Sequence, residues 1–516
     1  MSFFLRILKM TILFERLQAV RANGRYTQRN FSSVPLSPVR MRSVPGVGFN
    51  AEKRFMNNEP LSLAGKKIHF MGAGGIGVSA LAHMARLAGA DVTACDRAAN
   101  AMTRMLENAG VKVELGHAAS HAEGIDLLVH TSAVPADHPE RAAAPRQERR
   151  GRFLARIMAA HPSLGVCGTH GKTTTSWLLA QILLEAGLDP SVYIGGVAAG
   201  LSFGNHRLGT GPFVAELDES DGTFLLPRLD VAVMNNVESD HLSHYGTDEK
   251  LIAAFRDYAR GVEANGVLVA GVDNETANAI FTAHAGKKAG FAIDAAADYQ
   301  AVDIEAEANG SAFSLAGDKA AWGRFSVPMP GGHNILNALA AAAAAVAFGV
   351  APEIAKQALA KATGVERRME ELGRWNGAVW YTDYAHHPSE VAAAISGLRQ
   401  KHAGGVMVVF QPHLYSRTRD YADRFAKALS AADRVLVVDI YPAREKPIPG
   451  VSAGSIAAPL RTVHADAHGP VPLSEVAETA NRLSKGMEAV VMMGAGDIDD
   501  AAREMALAEK TVKADT

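Results

Sequence analysis

The chain of 516 residues has only two cysteines, Cys95 and Cys167, and no apolar run that approaches the length of a membrane span. A helix needs about 18 to 20 apolar residues to cross a bilayer, so the sequence predicts no membrane anchor. Both cysteines lie in apolar, strand-like segments, which indicates reduced core residues in a reducing, cytoplasmic compartment. The formal net charge of −2 gives no reason to expect nucleic-acid binding.

Acidic residues are almost missing from the first 62 residues, where Glu15 is the only acid before Glu52. Arginines set among Ser, Asn and Pro give this stretch the composition of an organelle transit peptide. The composition also fits an unstructured extension or a start codon assigned too far upstream, and we favour that interpretation. Residues 1–62 are therefore predicted to be a disordered or wrongly assigned leader outside the fold.

The rest of the chain is too long for one hydrophobic core and indicates about three domains. Hydrophobic residues make up 48% and charged residues 21% of the sequence, as is typical of a soluble globular enzyme. Buried strands that alternate with helical segments predict an α/β fold. We expect a Rossmann-like domain at 63–150, a central P-loop domain at 151–364 and a doubly wound α/β domain at 365–516.

The most informative motif is the glycine turn GTHGKTT at 168–174, between an apolar strand and a helical pattern. In such a turn, backbone N–H groups and the helix N-terminus converge on phosphate oxygens. The general P-loop pattern has a glycine at the position occupied here by Val166, so this loop is a more compact form. Lys172 is predicted to neutralise the β/γ-phosphates, and Thr173 to offer its hydroxyl to Mg²⁺.

A second nucleotide-binding pattern begins near Lys66, where a strand leads into the glycine turn at 72–77 and then a helix. The next strand ends in Asp96. Glycines of this kind let a pyrophosphate approach the helix N-terminus, and the acid can reach a ribose hydroxyl. Because an ATP site follows downstream, we interpret this unit as binding a nucleotide carried by the substrate.

Acidic residues and histidines follow two predicted strands of the central domain. Four acids lie between Glu216 and Asp221, and His241 follows the strand at 229–236. Hard cations prefer carboxylate oxygens, and an imidazole can help to hold a metal. The cluster is therefore predicted to bind Mg²⁺ beside the P-loop.

Two regions beyond this cluster also carry polar residues that indicate function. Asn334 and Asn337 lie three residues apart at the start of an Ala-rich helix, where their amides could contact adenine or act as caps. In the third domain four strands end in polar segments at one predicted sheet edge.

The basic stretch 141–152 is predicted to be a solvated linker between the first and second domains.

Together these segments resemble the Mur ligase family, from about residue 66 to residue 497. Sister ligases share the P-loop and the His333-Asn334 segment. The segments 410–419 and 441–445 are similar to those of the members that add L-alanine. Leu414 departs from that pattern, because many relatives have a second arginine there, and 141–152 is more polar than the apolar strand that relatives usually have.

The resemblance implies an ATP-dependent and Mg²⁺-dependent ligase that joins L-alanine to UDP-N-acetylmuramate through an acyl phosphate. The reaction would release ADP and phosphate and belong to peptidoglycan synthesis. The implied partners are these two substrates, without nucleic acid or membrane, and the implied assembly is a monomer or weak homodimer.

The resemblance also assigns roles to individual residues. The catalytic set is Lys172, Glu216, His241 and His386, and the metal ligands are Thr173, Glu216 and His241. The nucleotide-binding set is Gly168, Thr169, His170, Gly171, Lys172, Thr173, Thr174, His333, Asn334, Asn337, Arg368 and Asp383. The sugar nucleotide would contact Gly74, Gly75, Gly77, Asp96 and Ser132, and alanine would contact Tyr384, His386 and Arg417.

Other functions are weighed against this one. A ligase that adds a preformed peptide is disfavoured by the segment 410–419, and a folylpolyglutamate-type ligase by the glycine-rich first domain. An inactive nucleotide-sensing regulator is disfavoured because Lys172, Thr173, Glu216 and His241 are all present. A dehydrogenase is disfavoured because nothing after the first glycine turn resembles its catalytic site.

Overall fold

The computed structural model describes residues 62–514, except Ser202, Ala308 and Arg444. The leader predicted at 1–62 therefore lies, apart from Ser62, outside the described residues. The described chain is organised around three β-sheets of five, ten and six strands, each with its own sequence range. None of the helices in the described part of the chain combines the length and apolarity required to span a bilayer.

The first sheet is entirely parallel, with the strand order β3-β2-β1-β4-β5. Its strands are β1 (Lys67–Met71), β2 (Asp91–Asp96), β3 (Lys112–Leu115), β4 (Leu127–His130) and β5 (Gln147–Arg149). The helices are α1 (Ile76–Leu87), α2 (Ala101–Asn108), α3 (Pro139–Ala143) and α4 (Arg150–Met158), with a 3₁₀ turn at Ala119–Ala122.

The second sheet has the order β15-β14-β13-β12-β11-β10-β6-β9-β7-β8 and is parallel from β13 to β7. Its strands are β6 (Ser163–Cys167), β7 (Ser191–Tyr193), β8 (His206–Arg207), β9 (Phe213–Glu216), β10 (Leu229–Met234), β11 (Val262–Gly271), β12 (Lys287–Ala292), β13 (Tyr299–Glu307), β14 (Gly310–Leu315) and β15 (Phe325–Val327). The helices are α5 (Lys172–Glu185), α6 (Leu242–Tyr245), α7 (Asp248–Arg260), α8 (Glu275–Ala283), α9 (Gly332–Ala347) and α10 (Pro352–Ala360), with 3₁₀ turns at Thr223–Leu225 and Gly317–Trp322.

The third sheet has the order β16-β17-β21-β18-β19-β20, and only its edge strand β16 is antiparallel. Its strands are β16 (Glu370–Trp375), β17 (Ala378–Asp383), β18 (Val406–Phe410), β19 (Arg434–Val438), β20 (Ala467–Val471) and β21 (Ala489–Met493). The helices are α11 (Pro388–Lys401), α12 (Tyr415–Leu429), α13 (Gly454–Val463), α14 (Val476–Leu483) and α15 (Ile498–Ala514), with a 3₁₀ turn at Leu473–Glu475.

The central strands of each sheet are short apolar runs, because helices cover both faces and leave no side exposed to water. β18 and β21 are buried at every position, as the sequence Val-Met-Val-Val-Phe of β18 indicates. The parallel strands place their carboxyl ends at one edge, and the polar segments predicted from sequence follow there. The prediction of a three-domain α/β fold is confirmed.

The prediction of a solvated linker at 141–152 is wrong. The stretch forms β5, which pairs with β4, and then the first turn of α4. Glu148 in β5 is buried, and Phe153 of α4 packs edge-on against Phe70 of β1 at 5.5 Å. The polar sequence did not indicate a strand, because an edge strand is held by backbone hydrogen bonds and does not require apolar side chains. The domain limits stay a prediction, although α4 packs on the first sheet.

The packing of α4 predicts that Phe153→Ala destabilises the chain. Phe153 is fully buried, and truncating such a ring costs about 3–5 kcal/mol of the free energy of unfolding. The midpoint of urea denaturation measures the loss. Leu115→Ala is the control, because Leu115 is 62% exposed and should change the free energy by less than about 0.5 kcal/mol. Equal midpoints for the two variants would contradict the packing.

Candidate active site between the three domains

The glycine turn after β6 has the backbone geometry of a phosphate-binding loop. Gly168 has φ +133° and Gly171 has φ +79°, both in the left-handed region that glycine tolerates. α5 begins directly after Gly171, so its first N–H groups face the turn. A Cβ on Gly171 would lie 2.3 Å from Oδ1 of Asn337, which shows how closely the turn packs against α9. The loop is therefore built to bring backbone N–H groups to an anion.

Lys172 is positioned by the loop and by one buried acid. Its Nζ donates to the carbonyl oxygens of Gly168 at 2.7 Å and Thr169 at 3.2 Å, and lies 2.9 Å from Oε1 of Glu219. Burial opposes its charge, but the neighbouring carboxylates, above all Glu219, raise the pKa of Lys172. The ammonium group is thus a fixed positive charge at the mouth of the loop.

Glu216 lies at the end of β9 beside the first turn of α5. Its Oε1 accepts from the hydroxyl of Thr173 at 2.9 Å, and its Oε2 accepts from the backbone N–H of Gly195 at 2.6 Å. Burial raises the pKa of Glu216 despite these hydrogen bonds and the nearby Lys172. A carboxylate in this state favours the arrival of an additional cation.

The residues predicted to hold Mg²⁺ fit a hard cation in their donor chemistry. Thr173 and Glu216 offer oxygens in direct contact, and Glu219, which is 1% exposed, has a buried Oε2 without a hydrogen-bond partner. His241 is separated from this pair and contacts Glu219 instead, with Nε2 3.3 Å from Oε1. Glu219 therefore joins the site as a residue that the prediction did not select, although it stood within the predicted acidic cluster.

A cavity of about 1450 Å³ opens at the loop and is lined by all three domains. It brings together Lys172, Glu216 and His241 with two groups of predicted residues from the other domains. The first domain contributes Gly75, Gly77, Asp96 and Ser132, and the third contributes Arg368, Tyr384, His386 and Arg417. Residues from three separate sheets thus share one space, as a reaction among several substrates requires.

The glycine turn of the first domain packs against Asp96, which was predicted, and against Tyr193, which was not. The backbone N–H of Gly74 donates to Oδ2 of Asp96 at 2.8 Å. A Cβ on Gly77 would lie 2.5 Å from the hydroxyl oxygen of Tyr193. Arg150 donates to that hydroxyl at 3.0 Å and to Asp218 at 3.1 Å. Arg150 therefore supplies a cation to the cavity from the stretch that was interpreted as a linker.

A second cavity of about 610 Å³ also reaches the loop, where Gly171 and Thr174 line it together with α9. Neither asparagine caps that helix, which begins after Gly331 without a side-chain cap. Asn337 accepts from the hydroxyl of Thr175 at 3.1 Å and Asn334 donates to the carbonyl of Pro330 at 2.8 Å. The two side chains line a space beside the phosphate loop, where a nucleotide base could sit.

Three further predicted nucleotide residues, His333, Arg368 and Asp383, line the same cavity. Burial, with a contribution from Arg368, lowers the pKa of His333 to about 4 and keeps it neutral. Both oxygens of Asp383 accept backbone N–H groups, from Met369 and Ala385 at 2.8 Å each. Asp383 thus fixes the turn after β17, and any contact with a nucleotide would be additional.

The predicted amino-acid pocket contains a neutral histidine. Burial lowers the pKa of His386 to about 3. Its Nδ1 lies 2.9 Å from the carbonyl oxygen of Tyr384. Since a carbonyl only accepts, Nδ1 carries the proton and Nε2 carries the lone pair. His386 is therefore able to accept a hydrogen bond at Nε2 from a ligand in the large cavity.

Arg417 is committed to another domain in this arrangement. Its Nη2 donates to both carboxylate oxygens of Asp240, at 2.8 and 2.9 Å, and its side chain is 6% exposed. Nearby, the hydroxyl of Tyr421 donates to the carbonyl of Ser239 at 2.7 Å. Helix α12 is thus attached to the segment after β10 of the central domain. Arg417 lines the large cavity and also joins two domains.

His170 of the phosphate loop lies between two acids that the sequence reasoning did not select. Its Nε2 is 3.4 Å from Oε2 of Glu238, and its Nδ1 is 3.2 Å from Oε1 of Glu390 on α11. Burial works against protonation, but these two acids raise the pKa of His170 to about 9. Glu390 follows the HHP motif by two residues and forms the capping box of α11, a spacing that could have drawn attention to it.

Three family models match the chain in order. They describe a Mur ligase family catalytic domain at 67–162, a Mur ligase middle domain at 166–345 and a Mur ligase glutamate ligase domain at 367–506. The chain belongs to the Mur ligase family. The predicted resemblance is confirmed, and the three matches follow the three sheets.

Curated relatives extend this result over most of the chain. The UDP-N-acetylmuramate–L-alanine ligase of Sorangium cellulosum is 37% identical over 447 residues, which cover 85% of this chain and 95% of the relative. The protein of the same name from Paenarthrobacter aurescens is 41% identical over 438 residues, 84% of this chain and 94% of the relative. Both alignments are long enough to contain all three domains.

Two solved structures are similar to this Mur ligase. The UDP-N-acetylmuramate-alanine ligase of Thermotoga maritima superposes with a TM-score of 0.75 at 27% identity, covering 86% of this chain and 99% of that chain. A murein peptide ligase of Psychrobacter arcticus gives a TM-score of 0.63 at 25% identity, covering 86% and 98%. The roles of the individual site residues stay predictions.

The ion pairs of His170 predict that contact between the central and third domains weakens at alkaline pH. The pKa of His170 is raised from 6.5 to about 9, so its contribution is complete below about pH 6.5 and is lost as the pH rises through 9. We expect the radius of gyration from small-angle X-ray scattering to increase over this interval, because the domains separate more often.

His170→Gln should abolish this pH dependence. His387→Gln is the matched control, since burial and the nearby His170 lower the pKa of His387 to about 4 and it does not titrate in this interval. A wild-type radius that stays constant from pH 6.5 to 9.5 would contradict the assignment. The same increase in His170→Gln as in the wild type would also do so.

Proposed function

We propose that this Mur ligase joins L-alanine to UDP-N-acetylmuramate at the expense of ATP, releasing ADP and phosphate in peptidoglycan precursor synthesis. The observation that carries the proposal is the position of Lys172, at a phosphate loop that lines two cavities. The residues predicted to contact adenine line the smaller cavity. The larger cavity is lined by the glycine turn of the first domain, by acids of the central domain and by Arg417 of the third domain. The relatives are named as ligases of the same two substrates.

The proposed chemistry has two steps. The muramate carboxylate oxygen attacks the terminal phosphorus, and the bond to the bridging oxygen breaks, which leaves ADP and an acyl phosphate. The amino nitrogen of L-alanine then attacks the acyl carbon, the amide bond forms, and inorganic phosphate leaves. Such reactions depend mainly on positioning and on the neutralisation of phosphate charge.

Lys172 supplies that neutralisation most directly. Two loop carbonyls and Glu219 accept hydrogen bonds from its ammonium group, so its charge stays beside the loop, and a direct bond to a phosphate oxygen would replace one of these three contacts. Thr173, Glu216 and Glu219 are the side chains that would hold Mg²⁺. The ion, when bound, would neutralise phosphate oxygens.

The second step requires the neutral amine of alanine, which is an ammonium ion in water at neutral pH. His386 is neutral, and the lone pair on its Nε2 can accept a hydrogen bond from this amine and orient it, while the proton that the nucleophile loses passes to solvent. Arg417 is the cation predicted for the alanine carboxylate, and binding there would require its Nη2 to share or release the contact with Asp240. We expect the reaction to take place in the cytoplasm, by a monomer or weak homodimer.

A ligase that adds a preformed peptide is the nearest alternative, since the Psychrobacter arcticus structure bears that name. Its similarity is weaker than that of the Thermotoga maritima alanine ligase in both TM-score and identity. The curated relatives at 37–41% identity are alanine ligases by name. These comparisons support a single amino acid as the acceptor.

The proposal predicts phosphate release from Mg²⁺-ATP and UDP-N-acetylmuramate that depends on L-alanine. Each amino acid and a stem tripeptide are supplied in turn to the purified full-length chain, and phosphate is measured by a coupled assay. Release with the tripeptide alone would overturn the alanine assignment while keeping the ligase chemistry. Absence of release with every acceptor would overturn the proposal as a whole.

Lys172→Ala should reduce this release by about 10³-fold or more, because it removes a positive charge that stabilises the transition state. Lys361→Ala is the matched control: Lys361 also pairs with a glutamate, Glu185, but its side chain is 64% exposed. A near-normal rate for Lys172→Ala would contradict the role of the loop.

Arg417→Ala should raise the KM for L-alanine at least tenfold, and far more than the KM for ATP, because the carboxylate of the free amino acid loses its cation. Steady-state kinetics with each substrate varied in turn measures both constants. Tyr421→Phe is the control, since it removes one contact between the same domains without removing the charge. Equal rises in both constants for Arg417→Ala would assign this residue to domain contact alone.

A further inference from the structure

A cluster of potential metal ligands lies inside the first domain, away from the phosphate loop. It consists of His69 on β1, Cys95 on β2, His121 in the turn after β3, and Glu140 on α3. Cys95 and Glu140 are fully buried, and His69 is 1% exposed. None of the four belongs to the residues assigned above to ATP, sugar or alanine.

The ligand atoms converge on one carboxylate oxygen. Oε1 of Glu140 lies 2.9 Å from Nε2 of His69, 3.1 Å from Sγ of Cys95 and 3.2 Å from Nδ1 of His121. Nε2 of His69 lies 3.3 Å from Sγ of Cys95. Ligands around a tetrahedral zinc ion are separated by about 3.3–3.6 Å, given bonds of about 2.0–2.3 Å. Four of the six separations are therefore within a few tenths of an ångström of those in a first coordination shell, and the ligand atoms all lie within 4.8 Å of one another.

The outer ring nitrogens of both histidines are also anchored. Nδ1 of His69 lies 2.7 Å from the hydroxyl of Thr93, and Nε2 of His121 lies 3.1 Å from Oε2 of Glu114. Metal-bound histidines usually donate their second N–H to such an oxygen, which fixes the ring and the tautomer. The partners leave the inner nitrogens, Nε2 of His69 and Nδ1 of His121, free to carry lone pairs toward the cluster.

We propose that His69, Cys95, His121 and Glu140 form a structural zinc site in the first domain. One thiolate, two imidazoles and one carboxylate are donors that Zn²⁺ accepts in tetrahedral geometry, and four protein ligands close the site to substrate. On binding, the S–H bond of Cys95 breaks, its proton goes to solvent and a zinc–sulfur bond forms. No oxidant or reductant takes part.

The ion has a route to the cluster and a structural consequence there. A cavity of about 280 Å³ lies beside it and is lined by His69, His121 and Glu114. Zn²⁺ would join two strands of the sheet to the turn after β3 and to α3. His117, whose Nδ1 is 3.3 Å from Sγ of Cys95 and 3.1 Å from Oε2 of Glu140, also lines the large cavity. The site thus lies behind one wall of the proposed sugar-nucleotide cavity.

The test uses the full-length chain without a polyhistidine tag, and Zn²⁺ and Co²⁺ as probes. We expect one tightly held zinc per chain by mass spectrometry after dialysis. Co²⁺ added to the metal-free protein should give the visible absorption of a tetrahedral site and a near-ultraviolet sulfur-to-cobalt charge-transfer band. The band is specific, because the other potential metal cluster in the described chain, His170, Glu238 and His387, contains no thiol.

Cys95→Ser should abolish the charge-transfer band, and Cys167→Ser should keep it. Cys167 is the matched control, since it is the other buried cysteine and lies outside the cluster. Glu114→Gln, which changes only the outer partner of His121, should keep the band and weaken Zn²⁺ binding about tenfold or more. Circular dichroism establishes that each variant is folded.

Wild-type protein that binds neither ion above background would overturn the proposal without reference to any variant. A charge-transfer band that survives in Cys95→Ser and disappears in Cys167→Ser would also overturn it. Because the readouts are metal content and absorption, they do not depend on the ligase reaction, and a failure of the alanine assay leaves them unchanged.

Discussion

The contact between Lys172 and Glu219 is the interaction on which the site depends. A buried ammonium group is stable only with paired charge around it, and the loop carbonyls and Glu219 provide that pairing. The same acid contacts His241 and has one unpaired oxygen. The central sheet supplies all of these groups from the carboxyl ends of neighbouring parallel strands, as open α/β sheets do at ligand sites.

Polar contacts between the central and third domains gather at the segment from Glu238 to Asp240. Ser389, Arg417 and Tyr421 of the third domain all reach this segment. His170 connects it to Glu390 through the phosphate loop itself. Contact between these domains and the geometry of the loop are therefore coupled, because one side chain takes part in both.

Much of the fold was predictable because parallel strands are buried on both faces and appear as short apolar runs. The strand predicted at 229–236 and the phosphate loop at 168–174 were identified from residue type and spacing alone. The strand at 147–149 was not, because an edge strand of polar residues lacks that pattern. Arg150, Glu238 and Glu390 were missed for a related reason: their importance comes from neighbours far away in the sequence.

By itself, the sequence determined the family, the three α/β units and the local chemistry of the two glycine turns. These features depend on residues adjacent in the chain, where backbone conformation and side-chain type act together. Only the tertiary structure decided that Arg417 pairs with Asp240 and that Asp383 fixes a turn. It also decided that Cys95 meets two histidines and a glutamate, since such convergence depends on how strands and loops pack, which no local pattern encodes.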